Sequence, residues 1–428
     1  MSAGSVLIKG GTVVGADGST AKGDVLIEDG VIAGIGGAAK AETVIDATGL
    51  LVAPGIVDMH VHLREPGQEG KETIATGTRA AALGGVTTVI CMPNTVPPLD
   101  SAAIISYVMS RAAKNAVVRV YPMGTLSVGR AGEVIAEYAG LRDAGAVAFT
   151  DDGNCIMNAL LARRAMTNLA ALGMPYVEHS EDASLVENGS MNEGYMAIRL
   201  GLRGRPALAE EVIIARDLLL AEDTGAHLHV AHLSCARSVE MIRAAKKRGA
   251  KVTCEVTAHH LALTEAAVEG YDTNARVDPP LRTEADRQAL IAGVLDGTID
   301  AIVSDHAPHG PLEKDIEFAV ASPGMTGLQT LLPLANAVLA LGARLKPGAL
   351  FGPLAANPAR ILGLKAGKLE NGMPADIVVW DEKAEWNYTK DKVASRSFNT
   401  PFLGKKLTGK VVHTLVGGRV VVRDGELT

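Results

Sequence analysis

Residues 55–92 read GIVDMHVHLREPGQEGKETIATGTRAAALGGVTTVICM. The first eight, 55–62, form an apolar run rich in valine and isoleucine, and VTTVICM (86–92) is a second run of the same kind. Both have the composition of buried strands. KETIATGTRAAAL (71–83), between them, has the composition of a helix. Strand, helix and strand in such close succession predict one βα unit of a parallel sheet.

The same unit recurs along the chain. Further apolar strands are expected at AVVRVYPM (116–123), AVAFTD (146–151), PYVEHS (175–180), HLHVAHL (227–233), KVTCEV (251–256) and IDAIVSD (299–305). Helical stretches alternate with them, among them GEVIAEYAGLRDAG (132–145), AEEVIIARDLLLAED (209–223) and TEADRQALIAGVLDG (283–297). Eight such units predict an α/β protein whose residues 54–364 form a (β/α)8 TIM-like barrel. A doubly wound open sheet is the alternative, but no Gly-x-Gly-x-x-Gly follows an early strand.

Outside this region the style changes. SVLIKGGTVV (5–14) and DVLIEDGVIAGI (24–35) are short strands with turn signals, as are KLENGMPADIVVWD (368–381) and KVVHTLVGGRVVVRDGEL (410–427). Asp-Gly and Gly-Gly steps between apolar runs are hairpin punctuation. One small β-sandwich domain built from both termini, 1–53 plus 365–428, is the expectation.

Composition narrows the function. The chain has 428 residues, 47% hydrophobic and 21% charged, with a net charge of −7. No dense Lys/Arg run is present, so neither nucleic acid nor an anionic membrane is an expected partner. The N-terminus lacks the pattern of a signal peptide, and no apolar run reaches membrane-spanning length. Cys91, Cys155, Cys235 and Cys254 are widely spaced, as expected of reduced, mostly packed thiols in a cytoplasmic protein.

Ten of the eleven histidines lie in the central region, and their places matter. His60 and His62 end the first expected strand, His179 the fifth and His232 the sixth. Asp151 and Asp152 end the fourth and Asp305 the eighth. The C-terminal strand ends of a barrel converge on one mouth, where the chemistry of such enzymes is found. Four imidazoles and two carboxylates there are enough to ligate two divalent metals. Parity puts His232 on the face of Leu228 and Val230, leaving His227 and His229 as barrel packing; His259 and His260, after the seventh strand, read as supporting residues. Between the paired aspartates, Asp152 shares parity with the small Ala146, Ala148 and Thr150, which suit a crowded interior. Metal coordination brings the pKa of water from 15.7 to about 7, so metal-assisted hydrolysis of an amide-like bond is the expected chemistry. Asp305 is placed to act as general acid/base.

At this point the chain resembles the amidohydrolase superfamily, and within it the class I dihydroorotases. The resemblance runs through APGIVDMHVHLREPG, GGVTTVICMPNT, AFTDDG, EVTAHHL, PPLR, the SDHAPH run and GMPADIVVWD, in the family's order over nearly the whole length. It implies a dihydroorotase activity, the reversible hydrolysis of L-dihydroorotate to N-carbamoyl-L-aspartate in pyrimidine synthesis. It also implies one or two Zn2+ per subunit held by His60, His62, Asp152, His179, His232 and Asp305, with Asp152 bridging. His62, Arg64, Asn94, Asp278, His309, Pro323 and Gly324 are implied to contact substrate; a homo-oligomer, such as a dimer, and association with aspartate carbamoyltransferase are further implications.

Two positions depart from the family's pattern: Asp278 stands where Asn is usual, and Pro323 where Phe is usual. Hydantoinases, dihydropyrimidinases and allantoinases resemble the same family but commonly carry a carboxylated lysine at the fourth strand. No lysine occurs here between Lys114 and Lys246, which favours the dihydroorotase side. A non-catalytic partner subunit of the transferase is a third alternative, and all six ligand positions being filled counts against it.

Overall fold

A computed structural model describes residues 4–37 and 39–428. Parallel strands Ile56–Val61, Val86–Cys91 and Arg119–Pro122 form one run, and Tyr176–Glu178, Leu228–Val230, Val252–Thr257 and Ala301–Val303 another. Phe149 bridges the two runs by pairing with Gly124 on one side and Tyr176 on the other. The eighth strand returns to the first, where His62 N–H donates to His306 O at 2.9 Å. The ring is therefore the expected (β/α)8 barrel.

The fourth strand is thinner than its composition predicts. Its ladder is flanked by Pro122 and Pro175, which accept hydrogen bonds from Val147 and Phe149 but have no N–H to return. The expected helix over 132–145 also shortens, to Tyr138–Asp143. Upstream of it, Val128 N–H donates to Val134 O and Ala136 N–H to Leu126 O, so the chain folds back on itself instead of coiling.

The barrel interior holds apolar side chains from every strand except the seventh, among them Val57, Met59, Ile90, Met123, Ala148, Val177, Ala231 and Val303. The following Ala359, Ile361 and Leu362 pack against them. On the seventh strand the buried Thr253 and Glu255 are polar instead. That exception lies directly behind the site.

Both termini contribute to a nine-stranded sheet that encloses its own core as a β-sandwich. Leu51–Pro54 runs antiparallel to Ile377–Asn387, with Ile377 opposite Pro54 and Trp380 opposite Leu51, which joins the two ends of the chain. Ile8, Val25, Ile27, Val52, Ile377, Val379 and Leu415 fill that core. Asp29-Gly30, Gly417-Gly418 and Asp424-Gly425 all take positive φ at both positions, the backbone that a two-residue hairpin turn requires. Arg119 on the third barrel strand donates to Asp376 through Nε (2.7 Å) and Nη2 (3.1 Å), tying sandwich to barrel.

Candidate active site

Three of the strand-end residues reach the mouth through unusual backbone. Arg64, His232 and Asp305 have φ of 58°, 29° and 42°, a region that non-glycine residues seldom occupy. This corrects the parity reading of His232. Leu228 and Val230 pack outward toward the helices, and His232 turns back to the axis only because the strand ends in that left-handed step. For His60 and His62 the ladder to the second strand slips between Asp58 and Val61.

At the centre lies Asp152. Its Oδ1 is 3.4 Å from His60 Nε2, 3.5 Å from His232 Nε2 and 3.6 Å from His179 Nδ1, while Oδ2 is 3.6 Å from His62 Nε2. Asp305 Oδ1 is 3.1 Å from His62 Nε2 and 3.6 Å from His60 Nε2. Two sets emerge whose donor atoms all lie within 4.8 Å of one another: His60, Asp152 and His232, and His60, His62 and Asp305. His60 Nε2 and Asp152 Oδ1 are buried with no hydrogen-bond partner. Buried polar atoms are normally satisfied, so two such atoms aimed at each other fit a divalent cation. Asp151, by contrast, is used elsewhere: its carboxylate accepts from Leu126 N–H, Ser127 N–H and the Ser127 hydroxyl.

The electrostatics agree. Burial opposes charge on His60, yet the carboxylates of Asp152, Glu255 and Asp305 hold its pKa well above the usual histidine value. Burial likewise opposes charge on Asp152 and Asp305, and the surrounding imidazoles keep both well below the usual carboxylate range. The pocket is thus built for a positive charge held between carboxylates.

A cavity of about 220 Å³ opens over this cluster and is lined by His62, Arg64, Asn94, Asp278, His309, Pro323 and Gly324 together with Asp152, His179, His232 and Asp305. Arg64 Nη2 donates to His309 Nε2 at 3.3 Å, and Arg64 Nε to Pro308 O at 3.3 Å. Burial lowers the Arg64 pKa to about 10, leaving it cationic at neutral pH, and lowers His309 to about 3 beside that cation. Asn94 Oδ1 accepts from His62 Nδ1 at 2.9 Å, so it also orients that imidazole. Asp278 is ion-paired to Arg205 at 2.6 Å, which gives the departure from Asn a partner of opposite charge. His259 and His260 are buried beside the cavity without lining it; His260 donates to Pro279 O at 3.1 Å.

Two carboxylates behind the cluster escape a reading of strand ends. Glu255 Oε1 accepts from His60 Nδ1 at 2.6 Å, and its Oε2 from His229 Nε2 at 3.2 Å. His229 Nδ1 then faces Thr253 Oγ1 at 2.8 Å, which His227 Nε2 approaches at 2.9 Å. His227 and His229 are therefore members of a hydrogen-bonded column rather than simple packing. Glu181 Oε2 sits 3.3 Å from His179 Nε2 and 3.2 Å from Arg205 Nη1. The only sequence signal for Glu255 is a charged residue inside an apolar strand.

Comparison with known proteins bears on this geometry. The family model described as dihydro-orotase-like matches residues 49–238. The dihydroorotase of Geobacter sp. (strain M21) is 50% identical over 381 residues, 89% of each chain. That of Pelotomaculum thermopropionicum is 51% identical over 381 residues, again 89% of each. The chain belongs to the dihydroorotase family. Among solved structures, the L-hydantoinase (dihydropyrimidinase) of Arthrobacter aurescens superimposes with a TM-score of 0.90 at 27% identity, covering 99% of this chain and 97% of its own. Family membership makes the protein a metal-dependent cyclic amidohydrolase, and the His/Asp cluster is its candidate metal centre. Among the described residues no helix is long and apolar enough to cross a membrane.

Proposed function

We propose that the protein is a class I dihydroorotase that opens and closes the ring of L-dihydroorotate, giving N-carbamoyl-L-aspartate in the open form. The observation that carries this reading is the corner formed by the cationic Arg64 and its partner His309, in the same cavity as the Asp152–Asp305 cluster. A guanidinium suits a ring carboxylate, and the carboxylate cluster suits the metal end of a cyclic amide.

His60, His62, Asp152, His179, His232 and Asp305 would hold one or two divalent cations, and Zn2+ is the best match to so many imidazoles. When bound, such a cation polarises the scissile carbonyl and makes water nucleophilic at neutral pH. Asp305 does the proton work. Held as a carboxylate by its histidine neighbours, it takes the proton of the attacking water and delivers it to the ring nitrogen as the amide bond breaks. Arg64, His309 and Asn94 hold the ring carboxylate. Asp278, Pro323 and Gly324 border the ring, with Asp278 kept in place by Arg205.

The likeness to L-hydantoinase supports a second reading, action on a hydantoin or dihydropyrimidine. The fourth strand weighs against it, since it ends in Thr150-Asp151-Asp152 with no lysine to carboxylate. The remaining parts of the proposal are a cytoplasmic homodimer able to associate with aspartate carbamoyltransferase, and domain boundaries at 54 and 364. The test is metal content measured together with turnover of L-dihydroorotate, hydantoin and dihydrouracil. Metal-dependent turnover of dihydroorotate alone is expected. Hydantoin turnover without dihydroorotate turnover would overturn the proposal, and a metal-replete but inert protein that co-purifies with the transferase would favour a non-catalytic role.

A further inference from the structure

The segment leaving the eighth barrel strand passes the cavity with His309, returns with Pro323 and Gly324, and so forms two limbs. The limbs touch. Ala307 N–H donates to Met325 O at 2.8 Å. Gly324 has φ of 130°, and a Cβ there would lie 2.6 Å from Ala307 Cβ and 3.2 Å from His309 Cδ2. Glycine is needed at that crossing.

Asn399 lies across both limbs. Its Oδ1 accepts from His309 N–H at 3.0 Å, and its Nδ2 donates to Ala307 O at 3.1 Å and to Gly324 O at 3.0 Å. Its own carbonyl accepts from Thr326 N–H at 2.9 Å. The residue is 4% exposed, so these bonds face little competition from water. Only a carboxamide fits one N–H and two carbonyls at once. A carboxylate would set negative oxygen against two carbonyl oxygens, and an aliphatic side chain would leave three buried backbone groups without partners.

The chain that carries Asn399 is itself anchored. Ser395 Oγ donates to Glu72, Arg396 N–H donates to Glu72 at 3.2 Å, and Ser397 Oγ donates to Lys71 O at 2.7 Å. The clamp therefore runs from the approach to the first barrel helix, through the segment before the last sandwich strands, to the residues beside the ring carboxylate. We propose that Asn399 is a positioning residue that fixes His309 and Gly324 for substrate binding. The proposal rests on the dihydroorotase reading of those two residues. It assigns to the C-terminal part of the chain a role at the substrate end of the site.

The test is Asn399→Leu and Asn399→Ala in the metal-replete, full-length protein. Three readouts are needed: steady-state kinetics with L-dihydroorotate, bound metal per chain, and hydrogen exchange over 306–326. A displacement of this kind weakens binding before chemistry, so KM should rise about ten-fold or more with kcat falling much less. Bound metal should be unchanged, and the His309 amide, whose partner is gone, should lose protection. A folded variant with wild-type KM overturns the proposal. So does loss of metal with KM constant, or unchanged exchange over 306–326. If the wild-type protein does not turn over dihydroorotate, the functional reading fails, and the exchange measurement still decides the clamp. Where Asn399→Leu does not fold, Asn399→Ala, which admits water in place of the amide, carries the same readouts.

Discussion

Replacing Glu255 offers the most direct test of how the metal end is built. Its carboxylate is 1% exposed and takes an N–H from His60 on one oxygen and from His229 on the other. Burial pushes this carboxyl up, and the two imidazoles outweigh burial and bring it to about 2. It is therefore ionised throughout the working range. By accepting the His60 Nδ1 proton, it leaves Nε2 as the nitrogen that faces Asp152 and Asp305 and that a bound cation would take. Carboxylates behind ligating histidines are worth about 10–100-fold in metal affinity, or about 1.4–2.7 kcal/mol. Glu255→Gln keeps an oxygen for His60, and His229 can answer the new N–H by moving its own proton to Nδ1, toward Thr253 Oγ1. Its loss should lie near about 10-fold. Glu255→Leu removes both acceptors and should approach about 100-fold. Competition with a chromogenic chelator gives the affinity, and urea unfolding of the metal-free proteins separates it from folding. A folded Glu255→Leu protein that binds metal within about two-fold of wild type would refute the reasoning.

Three further outcomes follow from the same structure. Asp305→Asn should lower kcat by about 10²–10⁴-fold with the fold retained by circular dichroism; near wild-type turnover would remove it from the proton transfer. His227 is held neutral, its pKa lowered to about 4 by burial first and then by the neighbouring His229, against about 6.5 unfolded. Between those values the unfolded chain binds more protons, so stability falls as the pH drops from about 6.5 to 4, by at most about 3 kcal/mol from this residue. His227→Gln should flatten that part of the urea-midpoint profile, and an unaltered slope would show that other groups set it. Burial pushes the thiols up, Cys91 to about 12 and Cys155, Cys235 and Cys254 further. A thiol-reactive disulfide reagent at pH 8 should therefore modify none of the four until urea is added, and rapid labelling of the native protein would contradict this.

The barrel is legible in the sequence because its strands are apolar on both faces and bounded by Gly, Pro or Asp, as parallel strands covered by helices must be. The hairpins of the sandwich are legible for a different reason: Asp-Gly and Gly-Gly are the residues that accept two successive positive φ values. The strand-end histidines are visible as positions, but their directions are not. Parity holds only while the backbone stays extended, and His232 leaves it at φ 29°. Glu255 is hidden by its setting, because a single carboxylate in VTCEV differs little from a strand end until His60 and His229 are brought beside it. Asn399 is hidden by distance, since its partners Ala307, His309 and Gly324 lie 75 to 92 residues away along the chain.

The two ends of the site are supported by different parts of the molecule. The metal end stands on the barrel interior, where Thr253 and Glu255 of the seventh strand stand in place of the apolar side chains that the other strands contribute. A buried carboxylate is costly unless its acceptors are used, and here both oxygens are committed to imidazoles. The substrate end stands on loops, with Arg64 and His309 cross-bonded to each other and the returning limb held by Asn399 from outside the barrel. A rigid interior sets ligand directions to within tenths of an ångström, which coordination demands. Loops fastened at a few points can be altered without disturbing it. The fold is shared with L-hydantoinase, and a change of ring substituent calls for new contacts at the loop-borne end. Under the proposed function, Asp152 and its histidines serve the hydrolysis of a cyclic amide, while Arg64, His309 and the clamp behind them serve the choice of a ring that bears a carboxylate.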